Sequence, residues 1–126
     1  MSPDGPAEPD LAFQARCLAR RGRAASLATA RRGTGGGWPM VSLVTVAWDV
    51  DASPILLLSG LADHTQNLRA DDRASLMVDE ARLKANPQTG PRVTLMGRVA
   101  PVDDPALAAR ARARFLARHP EAGMYA

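Results

Sequence analysis

Short apolar runs alternate with polar, Gly- or Pro-bearing breaks between Ala24 and Val102, and the period inside the runs is close to two. That is the pattern of strands rather than of helices. Ala24–Ala30 (AASLATA) predicts a short strand of small residues. Met40–Trp48 is the clearest one. Val41, Leu43, Thr45 and Ala47 share one face, and Met40, Ser42, Val44, Val46 and Trp48 share the other. Both faces are mostly apolar, so this strand is expected to be covered on both sides. Ile55–Ser59 and Ala74–Val78 predict two more apolar strands. Arg92–Val102 predicts a long one with a bulge or bend at Gly97. The six-residue connector 49–54 implies an antiparallel pair, because parallel strands need a crossover of a dozen residues or more.

Helical spacing appears at three places. Asp10 is a good N-cap for Leu11, Ala15 and Leu18, with Arg20 and Arg21 in the last turn and Gly22 as the stop. Asp63 can cap a short helix, His64–Ala70. Asp104 with Pro105 at the first helical position starts a third. Its inner face would carry Leu107, Ala111 and Phe115, with Leu116 beside them. Arg110, Arg114 and Arg118 would form a solvated stripe opposite, and His119-Pro120 would end the helix. The turn Arg31–Gly37 (RRGTGGG) is no phosphate loop, because no Gly-Lys-Ser/Thr follows and it leads into a strand. Residues 1–9 hold three prolines and little to bury, so a disordered tail is expected, with one domain over 10–126. The fold class expected is mainly β (α+β): an antiparallel sheet closed as a small barrel, with flanking helices.

Composition narrows the chemistry. At 126 residues the chain fits one domain, and 4% aromatic content leaves the core to Leu, Val, Ala and Met. All but one of the sixteen basic residues are Arg, the exception being Lys84, and they are scattered among 13 acidic ones. With no recognisable reading motif, nucleic acid is not an expected partner. Cys17 stands alone, so no intrachain disulfide forms and a nucleophilic role has no support. The N-terminal segment lacks the apolar core of a secretory signal, and no apolar run reaches the ~18–20 residues of a membrane span. A cytoplasmic protein is the expectation. No ligand cluster suggests a metal, and nothing resembles a catalytic triad.

One stretch does suggest a ligand. Trp38–Leu68 reads as two strands feeding a tight turn that opens the Asp63-His64-Thr65 helix start. Free N–H groups and the helix dipole favour an anion there, phosphate first.

From these residues onward the chain resembles the pyridoxamine 5′-phosphate oxidase-like flavoproteins, nearest to their haem-utilisation branch. The resemblance runs over roughly 11–126. It rests on Ala25-Ser26-Leu27-Ala28-Thr29, Val41-Ser42-Leu43-Val44, Leu57-Leu58-Ser59, His64-Thr65-Gln66-Asn67-Leu68, Asp72-Arg73-Ala74-Ser75-Leu76, Arg92-Val93-Thr94-Leu95-Met96-Gly97-Arg98 and Arg118-His119-Pro120-Glu121-Ala122. It implies an FMN-binding split β-barrel and a homodimer with the cofactor at the interface. It places Val41, Ser42, Leu43 and Val44 along the flavin, Ser59 and Asn67 near it, His64 and Thr65 at its phosphate, and Arg92 near its ring. Two departures stand out. His64 and Thr65 replace two basic phosphate ligands, and Val46 replaces a lysine. The family also continues into a further strand, so the resemblance implies a domain lacking that strand. The function implied is FMN-dependent oxidoreduction on an unidentified substrate. The alternatives are a haem-binding or haem-degrading barrel, with His64 and His119 as its possible ligands, and a non-catalytic flavin-binding module.

Overall fold

The computed structural model of the protein describes residues 10–124. The tail expected at residues 1–9 lies outside the described residues. Nine regular elements follow in order: α1 (Leu11–Arg21), β1 (Ala24–Ala30), β2 (Pro39–Thr45), β3 (Ala47–Trp48), β4 (Pro54–Ile55), α2 (Asp63–Ala70), β5 (Arg73–Asp79), β6 (Arg92–Arg98) and α3 (Pro105–Arg118). Asp10 caps α1 by accepting from the Phe13 N–H, and Asp104 caps α3 by accepting from the Ala106 N–H. Both caps follow from the sequence, since a short carboxylate just before an apolar-periodic run satisfies a free helix amide.

The main sheet has the order β2-β1-β5-β6, and every pair in it is antiparallel. Its register sorts the side chains into two faces. Leu27 stands opposite Ser42 and Leu76, and this inner face packs into the core. Ser26 stands opposite Leu43 and Met77, and this outer face looks away from it. Leu27, Val46 and Val78 are almost wholly buried, joined by Ala19 of α1, Leu68 of α2, and Val44, Trp48 and Leu76. Burying a side chain such as Leu27 contributes about 1.5–3 kcal/mol. A second, smaller core joins Ala47, Phe115 and Ala122. The architecture is a mainly antiparallel α+β split β-barrel with flanking helices. β2 and β6 remain its edges among the described residues.

Four expectations change. Met40–Trp48 is not one strand. The ladder breaks at Val46, whose N–H donates to the Arg23 carbonyl (3.0 Å), and β3 then leaves to pair antiparallel with β4. The break lets Val46, Ala47 and Trp48 all be buried, which strict alternation forbids, and lets the Trp48 indole donate to the Gly22 carbonyl (3.3 Å). Nor is the strand covered on both sides: Val41 is 66% exposed and Leu43 81%. Of Ile55–Ser59 only Ile55 is laddered. Leu56 and Leu58 pack on the main core without strand pairing, and Leu57 packs on the smaller one. Gly97 makes no bulge; it pairs with Ala74 in unbroken register, and β6 ends at Arg98.

Gly22, the stop after α1, has an extended rather than left-handed backbone. Its glycine identity serves close approach, because a Cβ there would collide with the Val78 side chain. Gly22→Ala should therefore lower stability by about 1–3 kcal/mol. The expected readout is a lower urea midpoint at unchanged slope, and an unchanged midpoint would refute the packing argument.

Candidate functional site

The start of α2 differs from expectation in its cap. Ala62 occupies the N-cap position with extended dihedrals and offers no side-chain bond, so Asp63 is the first helical residue rather than the cap. Its carboxylate instead meets the Arg32 guanidinium (3.4 Å), which also donates to the Asp63 carbonyl (3.3 Å). The first intrahelical bond runs from the Gln66 N–H to the Ala62 carbonyl. The amides of Asp63, His64 and Thr65 precede it, which is the usual set of free helix donors. Thr65 Oγ1 is buried with no hydrogen-bond partner among the described residues. His64 is half-buried. The Ser59 hydroxyl accepts from the Leu61 N–H (3.2 Å) and shapes the entering turn.

Asn67 holds this corner together. It is fully buried. Its carbonyl oxygen accepts from the Arg32 amide and guanidinium (3.1 Å each), and its NH2 donates to Thr29 Oγ1 (3.2 Å) and toward the Met40 sulfur. It thereby ties α2 to β1, β2 and the turn between them. Arg32 is the residue that sequence reasoning missed. RRGTGGG carries no local sign that its second arginine will reach a helix thirty residues onward.

The residues assigned to a cofactor do not gather at one place within a single chain. Val41 and Leu43 lie on the outer sheet face, while Ser42 and Val44 lie on the inner one. Arg92 stands opposite Asp79 at the far end of the sheet from Thr29 and α2. Its guanidinium donates to the carbonyls of Pro87, Gln88 (2.7 Å) and Gly90. Val46, at the position of the family's lysine, is core.

The two histidines differ sharply. His119 is 2% exposed, stacks beside Phe115 and bonds the Val46 carbonyl through Nε2 (2.8 Å). A carbonyl only accepts, so Nε2 carries the proton and has no lone pair to offer. Nδ1 lies 3.8 Å from Glu121. Only His64 is placed to meet a ligand.

A second polar cluster forms where the arginine stripe of α3, still exposed at Arg110 and Arg114, reaches the β3–β4 hairpin. Asp49 is 7% exposed. It accepts from the Val50 N–H (2.8 Å) and from Arg110 (2.8 Å), with Arg114 at 3.7 Å. Arg114 donates to the Trp48 carbonyl (2.9 Å), Arg20 of α1 to the Val50 carbonyl (2.8 Å), and Arg118 to the Arg21 carbonyl (3.0 Å). The guanidinium groups reach the β3–β4 hairpin because it presents a buried carboxylate and free carbonyls to both helices. The Val50 amide first, and Arg110 next, hold the Asp49 carboxyl below the ordinary range. Arg73 lowers Asp71 to about 2 through its side-chain hydrogen bond. Among the described residues no group of three or more His, Cys, Asp or Glu could hold a metal, and no helix is long and apolar enough to cross a membrane.

Comparison with known proteins places the chain in a family. The family model for the CREG β-barrel matches residues 6–125. The non-canonical heme oxygenase HOZ, a chloroplastic protein of Arabidopsis thaliana, is 43% identical over 86 residues, which is 68% of this chain and 26% of that protein. A heme binding protein from Mycobacterium smegmatis superposes with a TM-score of 0.81 at 33% identity, over 95% of this chain and 48% of that one. HutZ, the heme storage protein from Vibrio cholerae, superposes with a TM-score of 0.73 at 20% identity, over 91% of this chain and 78% of that one, and shares the fold. The chain thus spans about a quarter of the length of the plant relative and about half of the mycobacterial one.

The depressed carboxyls set an acid limit. A carboxyl lowered in the folded state stabilises it above its unfolded value, about 3.9, and that contribution is lost as pH falls through the folded value. Wild-type urea midpoints should fall between about pH 4 and pH 2. Asp49→Asn should start lower at pH 7 and fall less over the same interval. Parallel pH profiles would show that Asp49 carries none of this limit.

Proposed function

The chain belongs to the CREG β-barrel family, and from that premise we propose that it is a haem-handling split-barrel protein. The observation that carries this reading is the mycobacterial heme binding protein, which matches nearly the whole chain at 33% identity. The plant heme oxygenase adds weight, and with it the possibility of haem turnover. These relatives favour the haem alternative over flavin-dependent oxidoreduction.

The residues present fit such a ligand in three respects. A half-buried imidazole, His64, at the start of α2 would hold the iron. The outer sheet face offers apolar contact through Val41, Leu43 and the 84%-exposed Met96, which would reach a ligand on His64 only from a second copy, since α2 sits on the inner face. Arg32 and Arg98 supply cations for propionates, although each is engaged by a carboxylate, Asp63 and Asp72 respectively. Bound haem would supply an iron centre for oxygen chemistry, and the chain would supply orientation and charge. His119 serves packing instead, being 2% exposed with its Nε2 bonded to the Val46 carbonyl.

A flavin reading, in the manner of the pyridoxamine 5′-phosphate oxidase-like proteins, has one observation of its own. Thr65 Oγ1 is buried without a partner beside the free α2 amides, and Arg32 restores a fixed positive charge that the sequence there lacks. An FMN phosphate would be received by His64, Thr65 and Arg32, with Asn67 acting through Arg32. Ser59 would shape the turn, and the Val41–Val44 backbone would lie along the ring. Because Arg92 sits at the other end of the sheet, this set closes only if a second copy contributes one half. Two copies packed on their exposed outer faces would do that, and would cover Val41, Leu43 and Met96.

A haem titration of the intact chain tests the first reading. A saturable Soret shift is expected, and His64→Ala should weaken binding at least tenfold and alter the band position. An unaltered spectrum and affinity in His64→Ala would remove His64 as ligand. Tight quenching of FMN fluorescence with no Soret shift would reverse the order of the two readings. For the pairing, sedimentation should show a dimer that Leu43→Arg converts to a folded monomer; a monomeric wild type would refute it.

A further inference from the structure

We infer that the cleft between α1 and α3, remote from the α2 corner, binds a small oxyanion group, a phosphate or a carboxylate. The cleft has a volume of about 390 Å³. Ala47, Trp48 and Asp49 of the β3–β4 hairpin line it, together with Arg20 from α1 and with Arg114 and Arg118 from α3. Its size lies in the lower part of the range of small-molecule clefts, about 300–1,000 Å³.

The charge there does not balance. The one carboxylate, Asp49, is already taken up by Arg110 (2.8 Å) and the Val50 amide. Arg114 reaches it only at 3.7 Å. Arg20 and Arg118 make no ion pair among the described residues; each donates to a backbone carbonyl, Val50 and Arg21 respectively. Of the neighbouring carboxylates, Glu80 is engaged with Arg21, Glu121 lies near His119, and Asp51, two residues along the hairpin, accepts from the Ser53 amide. Three guanidinium groups therefore face one cleft with a neutralised acid at its floor. A guanidinium carries five donors, and these bonds use only one or two on each. Arg118 Nε is moreover buried with no partner among the described residues. A buried donor is ordinarily satisfied, so an orphaned one signals a missing partner.

The carbonyl bonds also matter for geometry. They fix each arginine to a packed element before any ligand arrives, which lowers the ordering entropy of binding. Arginine forks match the planar or tetrahedral array of an oxyanion in ways that lysine does not. The apolar floor of Ala47 and Trp48 further suits an anionic group carried on a small organic body. This site does not depend on the haem reading, and its test is separable from it.

The test uses the whole chain, with inorganic phosphate, acetate and chloride compared at equal ionic strength. Phosphate or acetate should raise the melting temperature by several degrees beyond chloride and saturate at one site. In a proton–nitrogen spectrum the Trp48 indole should shift with the same saturation, while the exposed Trp38 indole in the β1–β2 turn should not. Arg20→Gln and Arg118→Gln should each weaken the affinity at least tenfold, whereas Arg82→Gln, at an exposed arginine outside the cleft and the α2 corner, should leave it unchanged. Should either glutamine variant fail to fold, Arg118→Lys, which keeps the charge but loses the fork, should still weaken binding severalfold. Equal responses to all three anions, a shift at Trp38 instead of Trp48, or an undiminished response in Arg20→Gln/Arg118→Gln would overturn the site.

Discussion

A four-stranded sheet with short helices at its margins can bury only one of its faces, and most of the structure follows from which face that is. Leu27, Leu76, Val78 and Val44 point inward and meet Leu68, Trp48 and Ala19. The alternation that puts them there also puts Val41, Leu43 and Met96 outside, where no described element covers them. A one-residue slip of register would exchange the two sets, so the apolar outer face is a consequence of the core and not an ornament on it. The surface area left open is what the haem and pairing proposals both draw upon.

Polar ties then decide where the helices sit. Asn67 spends its whole amide on β1, β2 and the turn after β1, and so seats α2 on the inner face. Asp49 does the corresponding work at the other end, where Arg110 and Arg114 draw α3 onto the hairpin and Arg20 draws in α1. Both acceptors are nearly inaccessible to water, so each would be costly if unpaired, and each is paired several times. The two ends differ in their surplus. At the α2 corner the free groups are helix amides and Thr65 Oγ1. At the hairpin they are guanidinium donors.

That contrast also sorts the histidines. His119 follows α3 into the smaller core, where Phe115 and the Val46 carbonyl hold it, and its role there is structural. His64 opens α2 and keeps part of its surface free. A heme binding protein and a heme storage protein share this fold over nine-tenths of the chain, and of the two imidazoles only His64 keeps exposed surface.

Local pattern alone determined much of this protein. It located α1 and α3 with their caps, β1 to the residue, the break at Arg31–Gly37, the antiparallel pairing across residues 49–54, and the short helix that opens near His64. These depend on neighbours within a few positions, through side-chain alternation, capping chemistry and turn residues. What alternation could not convey was where Met40–Trp48 would break, since the break at Val46 is stabilised by Arg23 and Gly22 more than twenty positions upstream. The same limit hid the bonds of Arg110, Arg114 and Arg118. A period of about four places them on one side of α3, but only the position of Asp49 tells what their guanidinium groups reach. Arg32 and Asn67 meet across 35 residues for the same reason. Distance along the chain is invisible to periodicity, so the contacts that assemble both polar corners were decided by tertiary structure, which alone brings their separate charges within reach of one another.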